Sequence, residues 1–256
     1  MSKNVHDNLT IILKVRDNHT MTNRWLNNAL VQAVKFKILI ADGGKKPLEI
    51  SDEINKKLLI EYVKTPYDKD HLTYMKKLSY ALNKRVKTKY SLIADDDDFY
   101  VFDKVYSFVE FLMNNKDYVA CCGNILKFEL KNITHGNPKF TSISNHISFN
   151  EPEAIDRFTK ILEKNFYKEV YYDVIETKIM GKAIEDFIQI NKQNVNYRFL
   201  EFYTMVTSLS AGKLKCFEDR LCEECTPQCK EGDCVERIVE NLYLENTKMS
   251  FYYKNP

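Results

Sequence analysis

Apolar residues along this chain follow two spacings. Thr10-Ile11-Ile12-Leu13-Lys14-Val15 is short, β-branched and mostly apolar, the pattern of a buried strand, and polar Arg16-Asp17-Asn18-His19 follow before residues 21–34 resume at helical spacing. Phe36-Lys37-Ile38-Leu39-Ile40-Ala41 repeats the strand pattern and runs into Asp42-Gly43-Gly44, a turn signal that places Asp42 at a strand's carboxyl end. A third strand is predicted over residues 59–63. Leu72, Met75, Leu78 and Leu82 then recur at steps of three and four, one face of a helix whose other face carries Lys76, Lys77, Lys84 and Arg85. Tyr90-Ser91-Leu92-Ile93-Ala94 reads as a strand running straight into Asp95-Asp96-Asp97-Asp98, with a helix over 105–113 and a strand over 118–122 beyond. Strands alternating with helices predict an α/β fold with a mostly parallel central sheet flanked by helices.

The second half is less regular. Residues 128–150 are polar and punctuated by Gly136 and Pro138, as in a hairpin or a long loop placed to cover a pocket. A helix over 151–164, an aromatic strand over 167–174 and a helix over 177–190 lead to a segment, 199–209, with apolar residues at helical spacing. Gly212 stops that helix before Lys213-Leu214-Lys215-Cys216-Phe217. Trp25 shares core spacing with Leu26 and Leu30, and His19, His71, His135 and His146 are scattered, so these read as packing and ordinary polar residues.

Composition narrows the function classes. The 256 residues are 44% hydrophobic and 29% charged with only 7 Gly and 6 Pro, which excludes collagen-like, low-complexity and disordered chains. A formal charge of +2 is too balanced for affinity built on neutralising many backbone phosphates, so no nucleic-acid partner is expected. No apolar run approaches the roughly 18 residues needed to span a bilayer. The opening Met1-Ser2-Lys3-Asn4-Val5-His6-Asp7-Asn8 lacks the layout of a secretory signal, so a cytoplasmic location is expected, with a peripheral place on the inner face of a membrane as the alternative.

Four consecutive aspartates at a strand's end repel one another, and burying one unpaired costs several kcal/mol or forces its protonation. A hard divalent cation, Mn2+ or Mg2+, offsets that charge and leaves coordination places for water and phosphate oxygens. The plainer alternative is an acidic surface turn or helix N-terminus. A second cluster, Cys222-x2-Cys225-x3-Cys229-x4-Cys234, holds enough thiols for a tetrahedral Zn2+ or an iron-sulfur cluster, although its spacing is not a standard finger and unligated thiols or disulfides remain open.

The order of these elements resembles the nucleotide-sugar glycosyltransferases of GT-A fold, in particular the broad inverting family 2 type, over most of residues 9–216. The family's first strand and polar loop match residues 10–17, its strand ending in Asp plus Gly matches 38–43, and its DxD-like signature matches Ile93-Ala94-Asp95-Asp96-Asp97-Asp98 followed by Phe99. The resemblance implies a Rossmann-like GT-A domain over 1–215, its nucleotide half at about 9–122 and its acceptor half at about 123–215, with a Cys-containing extension over 216–256. It implies a nucleotide-diphosphate sugar donor, UDP-linked in first place, a glycan, lipid-linked or protein acceptor, and inversion at the anomeric carbon.

By the same resemblance Asp97 coordinates the metal that bridges the diphosphate, Asp95 joins it as a metal ligand or, like Asp96, reaches the ribose or a metal-bound water, and Asp98 joins the metal or orders the loop. Asp42 matches the position that meets the base, Arg16 and Asp17 line the first loop, and Lys77 or Lys76 meets the diphosphate. The family's Glu-Asp pair opens a helix about twelve residues before a Gly, which puts Glu201 in place as catalytic base, although Phe202 stands where the second acid belongs. Arg198, just ahead of Glu201, positions it or contacts phosphate. Glu185-Asp186 copies the pair literally but falls on the polar face of its helix. Two other readings stand beside glycosyl transfer: metal-dependent phosphoryl or nucleotidyl transfer, since a carboxylate cluster can hold two cations, and a non-catalytic GT-A-like scaffold with a partner- or metal-binding Cys tail.

Overall fold

The computed structural model describes residues 4–98, 100–123, 125–129, 139–144, 147–164, 170–190 and 197–217. The first apolar run forms β1 (Leu9–Val15), in which Leu9, Ile11, Ile12 and Leu13 are fully buried, as a strand covered on both faces must be. It leads into α1 (His19–Val31), β2 (Lys37–Asp42), a short α2 (Asp52–Lys57) and β3 (Ile60–Lys64). Then come α3 (His71–Tyr80), β4 (Tyr90–Asp95), α4 (Phe102–Asn114) and β5 (Tyr118–Cys122). A hairpin of β6 (Ile125–Glu129) and β7 (Lys139–Ser144) precedes α5 (Ala154–Lys164), β8 (Val174–Glu176), α6 (Thr177–Ile190), α7 (Tyr197–Ala211) and β9 (Lys213–Cys216).

Among the described residues seven strands form one sheet in the order β3-β2-β1-β4-β8-β5-β9. The pairs β1–β2, β1–β4 and β2–β3 are parallel, while β8 runs antiparallel to both β4 and β5. The sheet is therefore α/β and mostly parallel, as the alternation of elements predicts. The two-stranded β6–β7 hairpin is antiparallel and belongs to a second unit, separate from the one that gathers residues up to Cys122 with 148–215. Among the described residues no helix is long and apolar enough to cross a membrane.

Local chemistry sets the helix ends. The Asp70 carboxylate accepts the backbone N–H of Thr73 at 2.7 Å and starts α3, and Ser51 Oγ accepts that of Ile54 at 3.4 Å and starts α2. Helix α2 has six residues, too few to leave a readable period, and is absent from the sequence-based expectation. Helix α3 widens into a π-turn, Ala81–Arg85, closed by the Val86 N–H on the Ala81 carbonyl at 3.0 Å. Trp25 is buried edge-on to Phe102, ring centroids 5.7 Å apart, so it packs α1 onto α4 as its spacing indicates.

One expected element moves. The aromatic strand expected over 167–174 shrinks to β8, because Val170–Asp173 closes as a turn with the Asp173 N–H on the Val170 carbonyl at 3.0 Å. Residues 165–169 lie outside the described residues. The turn buries Tyr171 completely and sets its hydroxyl 2.8 Å from that of Tyr74 on α3, so the aromatic run serves a helix contact and not a strand face.

Candidate functional site

Strand order reverses between β1 and β4: from β1 the chain steps outward to β2, while from β4 it runs through α4 to β5 on the other side. Loops leaving the carboxyl ends of two such strands diverge and open a crevice, the usual ligand position in open α/β sheets. The loop after β1 holds Arg16, Asp17 and Asn18, and the turn after β4 holds Asp96, Asp97 and Asp98.

The four aspartates have four different surroundings. Asp95 is the register partner of Lys14 on β1, and the Lys14 ammonium lies 2.6 Å from Asp95 Oδ1. Asp96 turns inward, 9% exposed, where the Thr22 hydroxyl donates to Oδ2 at 2.9 Å and the Asn18 amide reaches Oδ1 at 3.5 Å. Asp97 is exposed, and its carbonyl accepts from the Arg24 guanidinium at 2.9 Å. Asp98 is also exposed. Loss of part of its hydration, with Asp95 and Asp97 close by, pushes its carboxyl up to about 6 against the pull of Lys14 and Arg24.

Asp96 is likewise pushed up to about 6, first by burial, then by Asp97 and Asp95, with Thr22 and Asn18 opposing. A carboxyl raised in the folded state keeps its proton after the unfolded chain has lost it, so this group's contribution to stability is highest below about 4 and falls as pH rises through about 6. Asp96→Asn is therefore expected to stabilise the metal-free protein by about 1–2 kcal/mol at pH 7.5, the gain disappearing near pH 4. Urea melts at the two pH values measure it, and a gain equal at both would show that the amide acts by other means.

Asp42 ends β2 as expected, yet its carboxylate is fully buried and faces the loop it shapes. Oδ1 accepts the Gly44 N–H at 2.6 Å, and Oδ2 accepts the Tyr62 hydroxyl at 2.5 Å and the Leu48 N–H at 3.2 Å. Donors of its own chain thus hold the group expected at the base. Asp17 takes a left-handed backbone, φ 57°, which an aspartate tolerates, and its Oδ1 accepts the Lys45 N–H at 2.6 Å. A Cβ on Gly44 would stand 2.9 Å from the Asp17 nitrogen, so only glycine lets the two loops approach this closely.

Arg16 remains at the surface over the ring of Tyr67, 5.4 Å from its centroid, with Lys45 5.2 Å from the same centroid. This leaves an aromatic ring with two cations on the β2 side of the crevice. Lys77, expected on the solvated side of its helix or at the diphosphate, is buried at the carboxyl end of β1. Its ammonium is buried against the Asp68 carboxylate and donates to the Val15 carbonyl at 3.1 Å, and burial draws its pKa down.

The side chain that sequence reasoning passed over is Lys14. Its ammonium lies 5.5, 5.4 and 5.2 Å from the ring centroids of Tyr74, Tyr171 and Tyr172, and 3.5 Å from the Tyr172 hydroxyl. The available signal was a single charge inside an otherwise apolar strand, which a buried parallel strand accepts only with a partner. Thr22 and Asn18 had no such signal, since polar residues at the start of an amphipathic helix are ordinary.

Glu201 lies near the start of α7 and is 9% exposed. Asp186 sits in an exposed ion pair with Lys182, 2.7 Å away and one helical turn back, the surface role its helix face indicates. Cys222, Cys225, Cys229 and Cys234, and the loop Phe99, lie outside the described residues, and the Arg198 side chain is likewise not described. Among the described residues no three His, Cys, Asp or Glu side chains converge into a metal-holding group. The exposed carboxylates of Asp97 and Asp98 nonetheless suit a hard cation of the kind that takes one or two protein oxygens and completes its shell with phosphate and water.

No protein-family model matches the chain, and no curated protein matches its sequence. Solved structures do match. One is the crystal structure of S. aureus TarS residues 1–349, with TM-score 0.57 and 12% identity over 96% of this chain and 67% of that one. Another is a longer S. aureus TarS structure, with TM-score 0.51 and 14% identity over 95% of this chain, which spans 44% of that one. The chain has a GT-A-like fold.

Proposed function

We propose that the chain is a metal-dependent glycosyltransferase that moves a sugar from a nucleotide-diphosphate sugar, UDP-linked in first place, to a hydroxyl acceptor with inversion, in glycan, surface polysaccharide or glycoconjugate synthesis. The observation that carries this reading is the acidic turn at the carboxyl end of β4, set where strand order reverses in a GT-A-like sheet. Asp97 and Asp98 are the residues assigned to hold Mn2+ or Mg2+, which supplies positive charge for the departing diphosphate. On the β2 side, the Tyr67 ring with Arg16 and Lys45 is assigned to the nucleotide. Glu201 is assigned to take the acceptor hydroxyl's proton as its oxygen bonds to the anomeric carbon and the bond to the diphosphate breaks.

A second reading, a GT-A-like scaffold without turnover, draws on Asp42 and Lys77, two expected donor contacts that their own chain holds inward. Thermal unfolding with UDP, GDP and their sugar-linked forms, with and without Mn2+, separates the two. A metal-dependent rise in Tm for one nucleotide, lost in Asp97→Asn, is expected, since ligand at about 100 times its Kd adds about 2.7 kcal/mol to stability. No rise with any nucleotide favours the scaffold.

A further inference from the structure

An acidic turn beside a phosphate-binding crevice needs cations, and this chain carries one inside its own sheet. Lys14 stands on β1 opposite Asp95 on β4, its side chain 9% exposed against 27% for Asp95, with their charged atoms 2.6 Å apart. Three tyrosine faces from α3 and the turn before β8 surround the ammonium. The aromatic faces and the carboxylate hold this ammonium in place, against the repulsion of the Lys77 ammonium, which lies 5.3 Å from the centroid of the same Tyr74 ring.

We propose that Lys14 is a resident cation of the acidic turn: it takes Asp95 out of the set of metal ligands, leaving Asp97 and Asp98 to hold one divalent ion. The inference rests on the metal-dependent reading above and deepens it. Two carboxylates are few for a hard cation, and a fixed positive charge beside them weakens its binding further. The ion is therefore held firmly only when diphosphate oxygens complete its shell, so donor and metal load together. A second divalent ion, which in-line phosphoryl transfer of the two-metal kind requires, has no place at Asp95 while Lys14 remains there.

Titrating Mn2+ alone into the full chain, followed by electron paramagnetic resonance, tests this. Lys14→Gln frees Asp95 and deletes the opposing charge, so it is expected to bind Mn2+ on the order of tenfold more tightly than wild type. Lys14→Arg keeps the charge and is expected to stay within about threefold of wild type. Equal affinity for wild type and Lys14→Gln overturns the proposal and leaves the metal-dependent reading standing; no Mn2+ binding by any variant, with or without UDP, overturns both.

A second measurement needs no variant. In wild type labelled with 15N at lysine side chains, the Lys14 ammonium is expected to give the same slowly exchanging signal with and without Mg2+ plus UDP. Loss of that signal on loading would mean that Asp95 passes to the ion, and would overturn the proposal.

Discussion

Lys77→Met is expected to destabilise the protein by about 3–5 kcal/mol, the range for removing one partner of a buried ion pair. The side chains of Lys77 and Asp68 are 2% and 1% exposed, and Asp68 Oδ1 has no hydrogen-bond partner among the described residues, so the remaining carboxylate would be left dry and uncompensated. The same ammonium also satisfies the last carbonyl of β1 at 3.1 Å. Lys77→Met with Asp68→Leu removes both charges and should recover much of the loss, since apolar replacement of a whole buried pair is often neutral. Urea unfolding of the two variants is the measurement, and a cost below about 0.5 kcal/mol for Lys77→Met would mean that water reaches the site.

Gly43→Ala is expected to cost about 2–4 kcal/mol through the same cluster, by overpacking and by disturbing a buried ion pair. A Cβ at this position would fall well inside contact distance of the Asp68 carboxyl, which is 1% exposed and already held by Lys77. The backbone ties the same two residues, the Asp68 N–H donating to the Gly43 carbonyl at 2.8 Å, so the loop cannot drift away to make room. If the clash is with the carboxyl, Gly43→Ala in an Asp68→Ala background should cost little beyond Asp68→Ala alone, a coupling of about 1–3 kcal/mol. Additive losses in the double-mutant cycle would place the strain in the backbone instead.

Sequence pattern made the parallel half of the sheet legible because it consists of short β-branched runs ending in Asp or Gly, a signal that depends on near neighbours alone. Asp42 and the four-aspartate turn fall where those runs place them, at carboxyl ends. The direction their carboxylates face was not legible, since Tyr62, Leu48, Thr22 and Asn18 reach them from other segments. The burial of Lys77 was not legible for the same reason: it belongs to the lysine-rich side of an amphipathic pattern, and only the approach of Asp68 and the end of β1 draws it inside. The Tyr171 turn was read as strand because aromatic residues favour strands and nothing local announces a hydroxyl contact with Tyr74.

The splice strand β8 gives the sheet a weak seam. Strands β1, β2, β3 and β4 pair along five or six residues each, whereas β8 meets β4 at Tyr90 and Ser91 and meets β5 at Ala120 and Cys121. Local opening follows the density of such bonds, so the amides of β8 and β5 are expected to exchange with solvent deuterium sooner than those of β1 and β2. The acidic turn thus hangs from the continuously bonded side of the sheet, so its register is set by β1 to β4 and not by the strands beyond β8.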